Sequence, residues 1–324
     1  MTRLFTDGAE MGDILFWNSA TGVTSTTQKR SGAYSYLFSN KDASKATPEI
    51  GEFYLRSAIY SSVFSGAPVI SWKNSSTVLG SLKINKDTFY PEFYVGITKV
   101  ATSNLFINLS TWYLLELHVK IADSGLLELK INGVLDNSVS YSGDTQPGAD
   151  AVINNLYFYG YSCYVDDIAI NDTSGSVDNS WCGDGHVIAL VPDGVGDASE
   201  LTPSSGSVNY LMVDEVPSDG DTTYVSGSVA ETKDLYNFTP TGLYSGSHVV
   251  LRAFVETRTR DTSGSAPFAT VIQSGSSVVE ETTQYTTLSY ASYKGTDNYL
   301  NPATGLSWTV DELDALQAGI VIKE

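Results

Sequence analysis

Hydrophobic and polar positions alternate most regularly between residues 110 and 134, S-T-W-Y-L-L-E-L-H-V-K-I-A-D-S-G-L-L-E-L-K-I-N-G-V. Leu115, Leu117, Val119 and Ile121 fall on one side of an extended chain and Glu116, His118 and Lys120 on the other, the period-two signature of a half-buried strand. Leu127, Leu129 and Ile131 against Glu128 and Lys130 repeat it. Residues 112–121 and 126–131 therefore predict a hairpin, and a hairpin with one wet face needs a second sheet over its dry one. The same kind of pattern predicts strands at 14–17, 67–72, 78–84, 89–95, 105–109, 152–159 and 162–170. From Asn171 to Gly185 the alternation stops and Ser, Gly, Asp and Asn dominate, which predicts a boundary. The expected organisation is a first domain over 1–172, a linker over 173–185 and a second domain over 186–324.

In the second domain, strands are expected at 186–192, 224–226, 249–257, 269–273, 278–282 and 286–291. Val249, Leu251, Ala253 and Val255 would form the inward side of a central strand. Thr309 and Glu312 stand at capping-box spacing, Leu313 and Leu316 share a helical face, and Gly319 suits a C-cap, so one short helix should precede a closing strand at 320–322. The predicted class is all-β: a jelly-roll sandwich followed by a second, smaller β-sandwich with one short C-terminal helix.

Composition narrows the range of partners. The 324 residues include 18 basic and 37 acidic side chains, a net charge of -19, which disfavours nucleic acid and anionic membranes. Residues 1–175 carry 12 basic and 17 acidic groups (net -5) and residues 176–324 carry 6 and 20 (net -14), so the acidity belongs mainly to the second half. No run of 18 apolar residues exists to span a membrane, and the first residues lack the apolar core of a signal peptide, so folding in a cytoplasm is expected. In that compartment Cys163 and Cys182 are expected as buried free thiols.

Catalytic motifs are sparse. Glu116 and Glu128 stand singly on separate strands, where a charge keeps a face wet. His118, His186 and His248 are far apart in the chain, and no Ser or Cys motif accompanies them. The glycine-rich runs at 183–185 and 193–197 have no lysine to meet a phosphate and are expected as turns.

Two resemblances extend this picture. W-Y-L-L-E-L-H-V-K-I, then G-L-L-E-L-K-I-N-G-V-L, then Y-V-D-D-I-A-I at 164–170 resemble, in that order, the back half of a concanavalin A-like (laminin G-like) jelly roll. Some members are glycoside hydrolases with E-x-D-x-x-E on one strand; this chain has no such string, which implies a non-enzymatic member. The resemblance also implies calcium at a rim, with Asp166 and Asp167 as ligands and Asp7 or Asp13 near them. It implies glycan binding too: Tyr157, Tyr159 and Tyr161 cluster with Tyr164 near the closing strands, and Trp72 and Trp112 lie nearby in the family topology.

Further on, W-C-G-D-G-H-V-I-A-L-V-P-D-G-V-G-D, V-P-S-D-G-D-T-T-Y-V and N-P-A-T-G-L-S-W-T-V-D-E-L-D-A-L-Q-A-G-I are similar to structural proteins of tailed bacteriophages, across most of residues 180–322. That similarity implies a virion component on capsid or tail, assembled in the host cytoplasm, with other virion proteins and a host-surface glycan as partners and homo-oligomerisation left open. The alternative is a free or cell-surface carbohydrate-binding lectin, with or without calcium. A depolymerase would need two carboxylates roughly 5–9 Å apart in a groove.

Overall fold

The computed structural model describes residues 3–246 and 248–324 and divides into two compact units, Met1–Ile188 and Ala189–Glu324. Residues 173–185, expected as a linker, thus lie inside the first unit. Nearly all regular structure is antiparallel β, in line with the predicted class. No helix among the described residues is long and apolar enough to cross a membrane.

The first unit opens with β1 (Arg3–Asp7), the short β2 (Ser19–Ala20) and β3 (Val23–Ser25), and the long β4 (Ser35–Ile50). It continues through β5 (Glu52–Ser61), β6 (Pro68–Asn74), β7 (Thr77–Ile84), β8 (Pro91–Val95) and β9 (Thr98–Thr102). The predicted hairpin follows as β10 (Tyr113–Lys120) and β11 (Gly125–Ile131), then the short β12 (Val134–Leu135) and β13 (Tyr141–Gly143), and finally β14 (Ile153–Asp172). Hydrogen bonding runs in the order β12-β11-β10-β5-β14-β6-β7-β8-β9, with β1 and β4 also on β14. The first half of β14 pairs with β4 and β6 and the second half with β5 and β1, so one strand joins both layers of the sandwich.

One large core fills the space between. It takes Phe53, Leu55 and Ile59 from β5, Leu115, Leu117 and Val119 from β10, Leu127 and Leu129 from β11, Ile70 and Trp72 from β6, and Leu156 and Phe158 from β14. Burying apolar area on this scale is the dominant favourable term for such a unit. Gly80 shows how tightly it closes: a methyl group there would lie 2.5 Å from the Trp72 indole.

The second unit holds a six-stranded sheet built on β15 (Pro192–Ser199), β18 (Lys233–Phe238), β20 (Pro267–Ser274), β21 (Ser277–Glu280), β22 (Gln284–Tyr285) and β24 (Gln317–Ile322). β24 lies between β18 and β20. Two ribbons accompany it, β16 (Thr202–Pro203) with β17 (Val225–Ser226), and β19 (Glu256–Thr259) with β23 (Ala291–Lys294). The expected helix forms as α1 (Val310–Asp314), shorter than its pattern suggested; the Thr309 side chain accepts from the Glu312 N–H, and the Glu312 carboxylate accepts from the Thr309 N–H, completing the capping box.

The strand expected at 249–257 forms only at its end, where Glu256 and Thr257 open β19 in its ribbon with β23, with an isolated bridge at Ala253, and it is not central. Val249 and Leu251 are exposed, and the centre of the sheet goes to β24, which can pair on both sides along its length. Asp234 is fully buried there and is bonded by the Glu200 and Leu201 N–H groups, the Asn209 amide and the Tyr236 hydroxyl.

Substituting Gly80→Ala should cost about 1–3 kcal/mol in urea unfolding, the usual range for overpacking a filled core. An unchanged midpoint would mean that the indole is free to move.

Candidate functional site

The tyrosines singled out by the sequence share one surface. Leu156 and Phe158 point into the core, so Tyr157 and Tyr159 point out, and a bulge at Gly160–Tyr161 leaves Tyr161 half exposed (51 %) on the same strand. Tyr157 stands opposite Ser71 of β6, Ser71 opposite Ser81 of β7, Ser81 opposite Tyr94 of β8, and Tyr94 opposite Lys99 of β9. Two buried serines therefore lie between two tyrosines on the outer side of the sheet.

The Tyr157 hydroxyl donates to the Asp42 carboxylate, and the Tyr159 hydroxyl to Asn40 Oδ1 at 2.6 Å. The Asp42 hydrogen bond, then burial, push the Tyr157 hydroxyl up to about 12. Tyr94 donates to Glu92 Oε2 at 2.9 Å and is also shifted upward, by burial first and then by Glu92. Lys73 Nζ lies 3.7 Å from the Tyr157 ring centroid and Lys83 Nζ 3.9 Å from that of Tyr94. Beyond the bulge, a shallow depression is lined by Val63, Phe64, Tyr159 and Tyr161.

Trp72 does not join this surface. It is 1 % exposed and packs edge-on against Phe53 and Phe93, so its ring offers no face to a sugar. Strand parity is the reason: Ile70 and Trp72 point in, and Ser71 and Lys73 point out.

Asp166 and Asp167 sit at the second bulge of β14 and are fully buried. Asp166 accepts from the N–H groups of Arg30 (2.8 Å), Ser31 (3.3 Å) and Asp167 (2.7 Å). Asp167 receives the Arg30 guanidinium at 2.8 Å, the Ser31 hydroxyl at 2.7 Å and the Val187 N–H at 2.9 Å, with His186 Nδ1 3.2 Å away.

Nearby, Glu10 accepts from the Ala33 and Tyr34 N–H groups and Asp7 from the Tyr36 hydroxyl. Asp13 serves a local turn at Leu15. Burial raises Glu10 to about 7, and burial followed by the Asp167 charge raises Asp166 to about 8. These carboxylates do not fit the calcium site implied by the resemblance. Their oxygens are filled by donors of the chain itself, Arg30 supplies the positive charge, and no metal-holding group of three or more His, Cys, Asp or Glu occurs among the described residues.

A third cluster escaped sequence reasoning. On the outer side of β5, β10 and β11, His118 stands between two carboxylates, with Nε2 2.8 Å from Glu52 and Nδ1 2.8 Å from Glu128. Tyr54 stacks on the imidazole at 4.2 Å, and Trp181 meets both rings edge-on, with Lys130 Nζ 4.1 Å from the Trp181 ring centroid. Glu116, expected as a solvated charge, is 1 % exposed and accepts from the Gly183 N–H at 2.7 Å. Arg56 donates to the carbonyls of Asp167 and Gly183. The segment around Trp181–Gly183 thus closes this face. Cys182 in the same segment and Cys163 are both free and buried, and burial pushes their thiols up to about 11 and about 12.

No family model matches the chain, and no curated protein matches it. Among solved structures it is similar to "Cellulose induced protein, Cip1" (16 % identity, 56 % of this chain and 100 % of that one, TM-score 0.42). It is also similar to the endo-β-1,4-glucuronan lyase of the fungus Trichoderma reesei (12 %, 56 % and 100 %, 0.43) and to alginate lyase Aly36B (13 %, 48 % and 86 %, 0.36). These carbohydrate-associated β proteins correct one expectation. The missing E-x-D-x-x-E string implied a non-enzymatic protein, yet two of the three are polysaccharide lyases, so its absence does not exclude catalysis.

Two outcomes follow from the buried groups. With unfolded carboxylates near 4, Glu10 and Asp166 bind more protons folded than unfolded. Their contribution is therefore complete below about pH 4 and is lost as pH rises through about 7 and about 8. The melting temperature should fall between pH 5 and 8, and Glu10→Gln should flatten that fall; a rising wild-type curve would contradict it. At pH 8 both thiols should resist a disulfide reagent until the chain is unfolded, and rapid labelling of either in the native protein would contradict their burial.

Proposed function

We propose that the protein recognises carbohydrate through the outer side of β4, β14, β6, β7 and β8. The half-exposed Tyr161 would meet a sugar ring, and the row from Tyr157 to Tyr94 would extend the contact. The observation that carries this reading is that alternation and one bulge bring Tyr157, Tyr159 and Tyr161 to a single surface, with Tyr161 half exposed. Aromatic rings with polar neighbours are the usual means of holding a pyranose. The setting we propose is the surface of a tailed-phage particle, where many copies would convert weak single contacts into avidity. The resemblance of residues 180–322 to phage structural proteins supports that setting. Cleavage is a separate matter from binding here, because the cluster around His118 lies on the far side of β14 in strand order and under Trp181–Gly183.

Tyr161→Ala should weaken binding to a recognised glycan about tenfold, a loss of ~1.4 kcal/mol, and leave the melting temperature in place because the side chain is half exposed. Unchanged affinity would remove Tyr161 from the site. Purified protein added to particles lacking it should co-sediment at a saturable, fixed stoichiometry; failure to bind, even when it is present during assembly, would overturn the virion setting.

A further inference from the structure

We infer that the ligand of the tyrosine surface is an anionic saccharide, bearing carboxylate or sulfate groups, held by Lys73 and Lys83. The inference rests on the carbohydrate reading above and adds its charge class.

Three observations carry it. First, acids outnumber bases two to one in the chain, yet Lys73 and Lys83 have no carboxylate ion pair among the described residues. The two acids on the same surface are already engaged. Asp42 accepts from Tyr157 and Thr21, and Glu92 from Tyr94, Asn85 and Lys99.

Second, each ammonium is held over a ring, Lys73 on Tyr157 and Lys83 on Tyr94. The ring quadrupole attracts the cation and limits its wandering, so less freedom is lost when an anion arrives. The same contact covers a ring face that a neutral pyranose would need for stacking. At these two positions the surface offers positive charge rather than a free aromatic face.

Third, the lysines flank the central row from opposite sides. Ser71 and Ser81 are paired; Lys73 lies two residues beyond Ser71, and Lys83 two residues beyond Ser81 on the antiparallel neighbour. Tyr157 and Tyr94 are three strands apart, about 14 Å at the usual interstrand spacing. Two separated charges suit a polymer with an acid on each repeat better than a single small anion. The net charge of -19 belongs mainly to residues 176–324, and residues 1–175, which hold this surface, carry a net charge of only -5.

The test is binding of the full chain to alginate and to chondroitin sulfate, with dextran as the neutral polymer and a single-stranded DNA oligonucleotide as the non-saccharide polyanion. Both acidic polysaccharides should bind in preference to dextran and more weakly at high salt. Lys73→Ala with Lys83→Ala should lower that affinity about tenfold, the scale of two partly exposed ion pairs, whereas Lys73→Arg with Lys83→Arg should retain most of it. Equal binding of dextran and the acidic polymers, unaffected by the alanine pair, would overturn the charge class and leave the carbohydrate reading standing. No binding to any polymer would overturn both. Binding of DNA as tight as that of the acidic polysaccharides would overturn the saccharide in favour of general polyanion binding.

Discussion

The twenty residues of β14 must serve both layers of the first unit, and their alternation decides which side chains meet the core and which meet solvent. A one-residue slip in a strand sends every following side chain to the other face. β14 slips once near its start, between Ile153 and Asn155, and then at two bulges. Ile153 faces inward; from Leu156 to Gly160 the even positions Leu156 and Phe158 do; after the first bulge the odd positions Cys163 and Val165 do; after the second, Ile168 and Ile170 do. Ser162 and Asp167 take left-handed φ values of 61° and 50° to allow this. The first bulge carries Tyr161 out beside the depression, and the second buries Asp166 and Asp167 where Arg30 and its neighbours can fill their oxygens.

The two outer surfaces then meet different ends. Around β5, β10 and β11, polar side chains that would otherwise lie in water are covered by the chain's own segment at Trp181–Gly183 and bonded to it through Glu116 and Arg56. Around β6, β7 and β8, Lys73, Lys83, Tyr94 and Tyr157 are half-buried and meet one another, Asp42 and Glu92. Buried polar groups need partners, and the first surface has them in the fold. The second is the surface proposed above for the ligand.

Much of this was legible in the sequence where a single strand carries the information. The 112–131 hairpin, the all-β class, the capping box at Thr309 and the shared side of Tyr157 and Tyr159 all follow from local periodicity. What was not legible depends on cross-strand partners. Glu52, His118 and Glu128 come from three strands, and neither the spacing of the histidines nor the single glutamates announces their meeting. Trp72 was misplaced because a tryptophan at a strand end carries no mark of which face its parity selects; the Ser71-Trp72-Lys73 alternation was the available signal. Residues 173–185 have the composition of a linker, but Trp181 packs on Tyr54 and His118 and the small Cys182 thiol is buried beside it, and these contacts outweigh a run of Ser and Gly. At Val249–Val255 the alternation is that of a central strand, yet β24 takes that place.

The most direct measurement is backbone-amide chemical-shift mapping of the full chain titrated with a short acidic oligosaccharide. Binding at the open surface predicts shifts confined to Ser71, Lys73, Ser81, Lys83, Tyr94 and the stretch from Tyr157 to Tyr161. Shifts centred instead on Tyr54, His118 and Trp181 would contradict it, and would mean that the segment covering that face opens to admit the ligand.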